Sequence, residues 1–200
     1  MKLAGVIACV LGVVLSGCAS LGVCEGSGRL EIVSANRGSV IVPGTTTAVY
    51  RSTDPNTADL YLSDLEPDVL VRRLSSPPGS EGAGASGVSG SVLHVRMFLN
   101  PKAGRTPIDF TASNTSVRYI VFANDAVGVY TGGAFLLPSD RPGEASFAGR
   151  LGGGNLRLLS SDGPFVDLLG AAKISGRVGA RLDEELAERI GARMLLFTGG

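Results

Sequence analysis

From Arg29 onward, the chain is dominated by alternation between apolar and polar positions. Arg29–Ala35 (RLEIVSA) places Leu30 and Ile32 on one face and Glu31 on the other. A period of two is the mark of a half-buried strand. Asn36-Arg37-Gly38 supplies turn residues and Ser39–Pro43 follows, so this stretch predicts a β-hairpin. Thr45–Ser52 is β-branched and aromatic, Asp54–Thr57 turns the chain, and Asp59–Leu65 runs back. Ser91–Leu99 (SVLHVRMFL) alternates most clearly. Leu93, Val95, Met97 and Leu99 share one face, while His94 and Arg96 share the other with Val92 and Phe98. Ile108–Ala112, Ser116–Ala123 and Gly128–Leu137 give further strands. Gly132-Gly133 inside the last predicts a bulge or a close approach of another backbone. Ala145–Leu151 extends, Gly152-Gly153-Gly154-Asn155 is expected to turn, Leu156–Leu159 returns, and Lys173–Leu182 forms one more strand.

Two segments carry a helical period instead. Glu66–Leu74 (EPDVLVRRL) predicts a short helix with Pro67 at its first position, where proline is tolerated. Asp183 is placed to cap a helix from Glu184 to about Met194, with acids in the first turn and arginines later. Leu182, Leu186, Ile190 and Met194 recur at helical spacing, giving an apolar face that packs on the sheet. About nine or ten short strands with frequent turn signals predict a mainly β fold. The expected architecture is an antiparallel β-sandwich or barrel-like domain with a short C-terminal helix. Ser75–Gly90 is nearly free of large apolar residues, cannot repay its ordering entropy, and is expected to be a flexible loop. Its Gly82–Gly87 run matches G-x-G-x-x-G in form, but no strand precedes it and no helix follows, so a dinucleotide site is not expected.

The first residues follow a different pattern. Met1-Lys2 is a basic start, and Leu3–Leu15 then runs for thirteen uncharged residues. Such a helix is about 20 Å long, short of the roughly 30 Å hydrocarbon core of a bilayer. The pattern fits a secretory signal better than a membrane span. Leu15-Ser16-Gly17-Cys18 closes the run. It resembles the lipobox of bacterial lipoprotein precursors. The resemblance covers only the first twenty residues and implies cleavage before Cys18, a diacylglycerol on its thiol, and a third acyl chain on its new amino group. Ala19 follows the cysteine instead of aspartate, a choice that in the Gram-negative lipoproteins this segment resembles tends to permit export to the outer membrane. The expected organisation is a signal peptide at 1–17, a lipidated tether at 18–28, and a single β-rich domain at 29–200. No cofactor is expected beyond the covalent lipid on Cys18.

Composition narrows the function classes. Lysine and arginine together number 18, equal to aspartate and glutamate. The chain therefore has no net field to attract nucleic acid, and no basic run with interleaved aromatics occurs. Of the three cysteines, Cys9 would leave with the signal and Cys18 would be acylated. Cys24 then has no intramolecular partner, which excludes a disulfide framework. Asn114-Thr115-Ser116 matches the glycosylation sequon and is taken as chance.

Candidate chemistry is sparse. His94 is the sole histidine. No G-x-S-x-G elbow is present, and no serine stands out as a nucleophile. A hydrolytic site would need His94 to share a pocket with two or more of Asp54, Asp59, Asp64, Asp109 and Asp125. Asp54, Asn56 and Asp59 are weak calcium candidates, because one loop offers three oxygen-bearing side chains but lacks the alternating acids and glycine of a helix-loop-helix calcium site. Asn100–Pro107 carries Lys102 and Arg105 and is read first as a solvated connection between strands, with an anion-holding loop as the alternative. Tyr50, Tyr61, Tyr119 and Tyr130 all fall on predicted strands, where sheet packing accounts for them. The expected function is a non-enzymatic one: a membrane-anchored envelope lipoprotein that binds an envelope protein or glycan, or serves as a structural accessory. The alternative is an envelope hydrolase using His94 with nearby carboxylates.

Overall fold

The computed structural model describes residues 29–35, 37–76, 87–101 and 113–197. The predicted signal, the lipidation site Cys18, Cys24, Gly82–Ser86 of the glycine motif, Lys102 to Pro107 and the predicted strand Ile108–Ala112 lie outside those residues. The elements in chain order are β1 (Glu31–Ser34), β2 (Val40–Ile41), β3 (Thr47–Arg51), β4 (Ala58–Ser63), α1 (Pro67–Leu74), β5 (Gly90–Met97), β6 (Thr115–Ala123), β7 (Ala126–Pro138), β8 (Ser146–Asp162), β9 (Ala172–Leu182) and α2 (Glu184–Met194), followed by a 3-10 turn at Leu195–Phe197. The fold is mainly β with a short C-terminal helix, as the alternation predicts.

The strands form one sheet in the order β2-β1-β9-β3-β4-β5-β6-β7-β8, and β8 pairs again with β9. β9 is thus engaged on both edges. Along one it meets β8 from Ala172 to Arg181; along the other it meets β1 at Ala172–Ser175 and β3 at Arg181–Leu182. Strands β3 to β9 therefore close into a barrel, with β1 and β2 as a flap on the β9 edge. Every pairing is antiparallel except the short β3–β9 contact, which is parallel.

Closure splits each strand into an inward and an outward row. Inward residues such as Leu60, Leu62, Leu93, Val95, Met97, Val117 and Leu156 fill the interior together with Tyr50, Tyr119, Tyr130 and Phe147. The Tyr50 and Phe147 rings lie 5.5 Å apart, and Tyr119 and Tyr130 lie 6.3 Å apart. The β8–β9 connection adds Leu169, while Phe165 packs edge-on to Tyr130. Buried tyrosine hydroxyls need partners. Tyr130 donates to Asp167 Oδ1 at 2.6 Å, and Tyr50 donates to the carbonyl of Glu144. Burial pushes both hydroxyls up in pKa, so they stay protonated donors.

Outward rows of β3 to β7 are apolar too, because both helices cover them. Val49, Tyr61, Val92, Ile120, Phe122, Val127 and Val129 meet Leu70 and Leu74 of α1 and Ala187, Ile190 and Met194 of α2. Each fully buried aliphatic side chain here contributes about 1.5–3 kcal/mol. α1 starts on Pro67 and ends on Leu74; in its last turn Arg73 Nη2 donates to the Asn124 carbonyl at 2.8 Å while its guanidinium sits 4.9 Å above the Phe122 ring. α2 is capped as predicted: Leu186 N donates to Asp183 Oδ1 at 3.1 Å.

Two expectations fail. β5 stops at Met97, so Leu99 does not join the inward row and is exposed. Gly152-Gly153-Gly154-Asn155 does not turn; it lies within the continuous strand β8. From Gly133 to Phe135 the chain of β7 advances two residues while β8 advances three, from Asn155 to Gly152. The same excess of one residue appears against β9. The glycines hold a β-bulge, with Gly153 at φ +63°, that bends the strand without reversing it. Glycine's freedom at positive φ serves a bulge as well as a turn, and the local sequence does not separate the two.

Gly132 fulfils its prediction of close approach. A Cβ there would lie 1.6 Å from the backbone oxygen of Asn155 in β8. Gly132→Ala is therefore expected to destabilise the fold by about 1–3 kcal/mol, read as a lower urea midpoint with the slope unchanged. An unaltered midpoint would contradict the packing described.

Candidate functional site

Because inward positions are taken by the core, the alternate residues of β3 to β6 must point outward. The register then brings separated residues into adjacent positions. Arg51 is opposite Asp59, Asp59 opposite Arg96, Tyr61 opposite His94, and His94 opposite Arg118. The last turns of α2 cross beside this row, and Glu188, Gly191, Ala192 and Leu195 complete a cleft of about 240 Å³.

His94 is the centre of that cleft. Its ring stacks on Tyr61 with centroids 4.6 Å apart and planes 3° from parallel. Its Nε2 is 2.9 Å from Asp59 Oδ1. With Asp59 ionised, Nε2 carries the proton and donates it. Arg51 Nε approaches Asp59 Oδ2 at 3.4 Å, and Arg96 Nε approaches Oδ1 at 3.9 Å. Burial pushes the Asp59 carboxyl up, but the hydrogen bond from His94 and the charges of His94, Arg96 and Arg51 outweigh it. The net result is a pKa below the ordinary 3.8. Burial, aided by Asp59, raises the Tyr61 hydroxyl to about 12, so Tyr61 is a neutral wall of the cleft.

Cations exceed anions here. Among the described residues, Arg51, Arg96 and Arg118 face two carboxylates, Asp59 and Glu188. Arg118 makes no ion pair among the described residues, and its Nε is shielded from water without a hydrogen-bond partner. Arg51 Nε is likewise buried and not aligned for a hydrogen bond. A buried donor left unsatisfied costs about 1–3 kcal/mol. The arrangement is suited to holding an oxyanion, since guanidinium forks match carboxylate and phosphate oxygens.

The other sequence-predicted residues scatter. Asp54 Oδ1 accepts from Asn56 N at 2.7 Å and shapes the β3–β4 turn, while Asp59 faces His94. The three calcium candidates thus do separate jobs, and among the described residues no group of three histidine, cysteine or acidic side chains comes together to hold a metal ion. Asp64 Oδ1 accepts from Ser91 N at 2.6 Å and ties β5 to the end of β4. Asp125 lies in the exposed β6–β7 turn. Of the carboxylates considered with His94, Asp59 shares its cleft; Asp109 lies outside the described residues. Asn114 is buried, donating to the Leu99 and Leu136 carbonyls and accepting from Leu136 N, so its sequon is a structural cap on β6.

Sequence reasoning missed Arg51, Arg118 and Glu188. Arg118 had a readable signal: it is the single charge between Val117 and Tyr119 in an apolar strand, and its parity matches neither neighbour. A second groove of about 630 Å³ lies further round the wall, with Thr131, Asn155, Arg157 and Lys173 among its lining residues. Register links it to the first, since Arg118 is opposite Thr131 and Thr131 opposite Arg157.

No protein-family model matches this chain, and neither the curated proteins nor the solved structures contain a significant match to it.

The lowered pKa of Asp59 gives a pH dependence. As pH falls, the unfolded chain takes up the proton first, so the contribution of ionised Asp59 is complete above the ordinary carboxylate range and fades through the folded value. The stability difference between wild type and Asp59→Asn is expected to be largest near about pH 6 and to shrink below about pH 4. Urea unfolding at each pH measures it, and a difference that stays constant into acid would contradict the assignment.

Proposed function

We propose that the chain is a lipid-anchored protein of the bacterial cell envelope, held at the outer membrane through acyl chains on Cys18, and that its barrel domain works by binding an envelope protein or glycan. The observation that carries the anchor is Leu15-Ser16-Gly17-Cys18 directly behind a basic start and an uncharged run. Acyl chains at about 0.8 kcal/mol per buried methylene would make release from a bilayer slow. Binding is supported by the barrel's two faces. The interior is packed with side chains, whereas the outer wall offers a cleft with more cations than carboxylates.

A second reading, hydrolysis, has one of the two aspartates it calls for: Asp59, 2.9 Å from His94. A carboxylate that orients an imidazole is one ingredient of general-base hydrolysis. Among the described residues, those lining the cleft include no serine, threonine or cysteine, and water is the nucleophile this reading assigns. Ester or amide hydrolysis by the purified chain that disappears in His94→Gln would favour this reading over binding.

Cys18→Ala is expected to abolish incorporation of labelled fatty acid and to leave the chain uncleaved or released from the membrane fraction. Undiminished labelling of the variant would overturn the anchor. Crosslinking in intact envelopes is expected to trap the wild-type chain on a discrete envelope component, and a repeatable absence of adducts would count against the binding role.

A further inference from the structure

The unsatisfied guanidinium donors in the His94 cleft identify a ligand class. We propose that the cleft is a binding site for a phosphoryl group, with Arg118 as its central donor and Arg51 and Arg96 at its flanks. The inference deepens the binding role proposed above and rests on it.

Three features lead to this class. Asp59 already accepts from His94 and lies within 4 Å of Arg51 and Arg96, so its two oxygens are engaged. Arg118 has no carboxylate of its own among the described residues, and its Nε is buried without a partner. Its terminal nitrogens also hold no hydrogen bond or ion pair among the described residues, and it is these that an incoming anion would meet. Three guanidinium groups, from β3, β5 and β6, line the cleft side by side. A planar carboxylate presents two oxygens to one fork, whereas a tetrahedral phosphoryl group presents three or more, which suits several forks at once.

The walls are consistent with that ligand. The Tyr61–His94 stack forms a rigid floor, and the cleft of about 240 Å³ admits a phosphoryl group with a small substituent. Glu188, exposed on α2, is the one opposing carboxylate at the mouth that lacks an ion pair among the described residues. It would repel an anion that is poorly neutralised and so disfavour weak binders. Two sources share this chemistry: a soluble phosphate ester, and the headgroup of an anionic lipid at the membrane to which the chain is tethered.

The test is titration of the full chain, purified in neutral detergent, with inorganic phosphate, followed by calorimetry. Saturable binding that weakens with added salt is expected. Arg118→Gln is expected to weaken it by about ten- to hundredfold, the worth of one charge-assisted hydrogen bond. Arg96→Gln, at a largely exposed position, should fold normally and weaken binding in the same direction. Glu188→Gln should tighten it. Short-chain phosphatidic acid that displaces phosphate would assign the headgroup source; glycerol phosphate that displaces it while the lipid does not would assign the soluble ester. Absence of saturable binding in a folded wild-type chain, or equal affinity in wild type and Arg118→Gln, would overturn the proposal. A chain that still crosslinks to an envelope component without binding phosphate would retain the general binding role and lose this site.

Discussion

β9 holds hydrogen bonds to β8 along one edge and to β1 and β3 along the other. That double engagement is the constraint on which the rest of the molecule depends. It converts a row of strands into a closed wall and leaves little unpaired edge to template further association. It also fixes the parity of every residue in the wall. Once Leu60, Val95 and Val117 are committed to the interior, Tyr61, His94 and Arg118 have only the outside to occupy. The price of closure is local distortion, taken up by the glycine bulge in β8 and the close crossing of β7 at Gly132.

The outer wall is then divided between two uses. Over Val92, Ile120 and Phe122 it is apolar and serves as a platform for α1 and α2. Beside that platform it is polar and cationic. Its charge is invisible in the whole-chain balance, because 18 basic and 18 acidic residues cancel. A neutral total says little about a cleft in which three arginines stand against two carboxylates. Local imbalance in a half-buried setting acts through short-range donors rather than a long-range field, so it favours a small, well-fitted anion over an extended polyanion.

Much of the fold was legible in the sequence. The Ile32–Ile41 hairpin, the start of α1 on Pro67 and the Asp183 cap of α2 follow from short-range chemistry, and each is present. Alternation in Ser91–Leu99 correctly separated His94 from the core face of β5. What the sequence did not show depends on neighbours distant along the chain. Barrel closure joins Val49 to Arg181. The fate of Gly152–Asn155 depends on whether partners continue on both sides, and they do. The site was half visible for the same reason. His94 and Asp59 were both singled out, yet their meeting at 2.9 Å, and the arrival of Arg51 and Arg118 beside them, is set by register between strands. Asp54 and Asn56 looked equivalent to Asp59 in composition, and a backbone hydrogen bond within the turn was enough to separate them.

Under the proposed function, binding takes place on the outside of a filled barrel, at the end of a lipid tether. Amide chemical-shift mapping of the full chain in neutral detergent, during addition of phosphate, tests that placement most directly. The account predicts shifts confined to outward positions of β3 to β6 and the last turns of α2, centred on His94 and Arg118. Shifts centred on interior positions such as Tyr119 and Leu156 would contradict it.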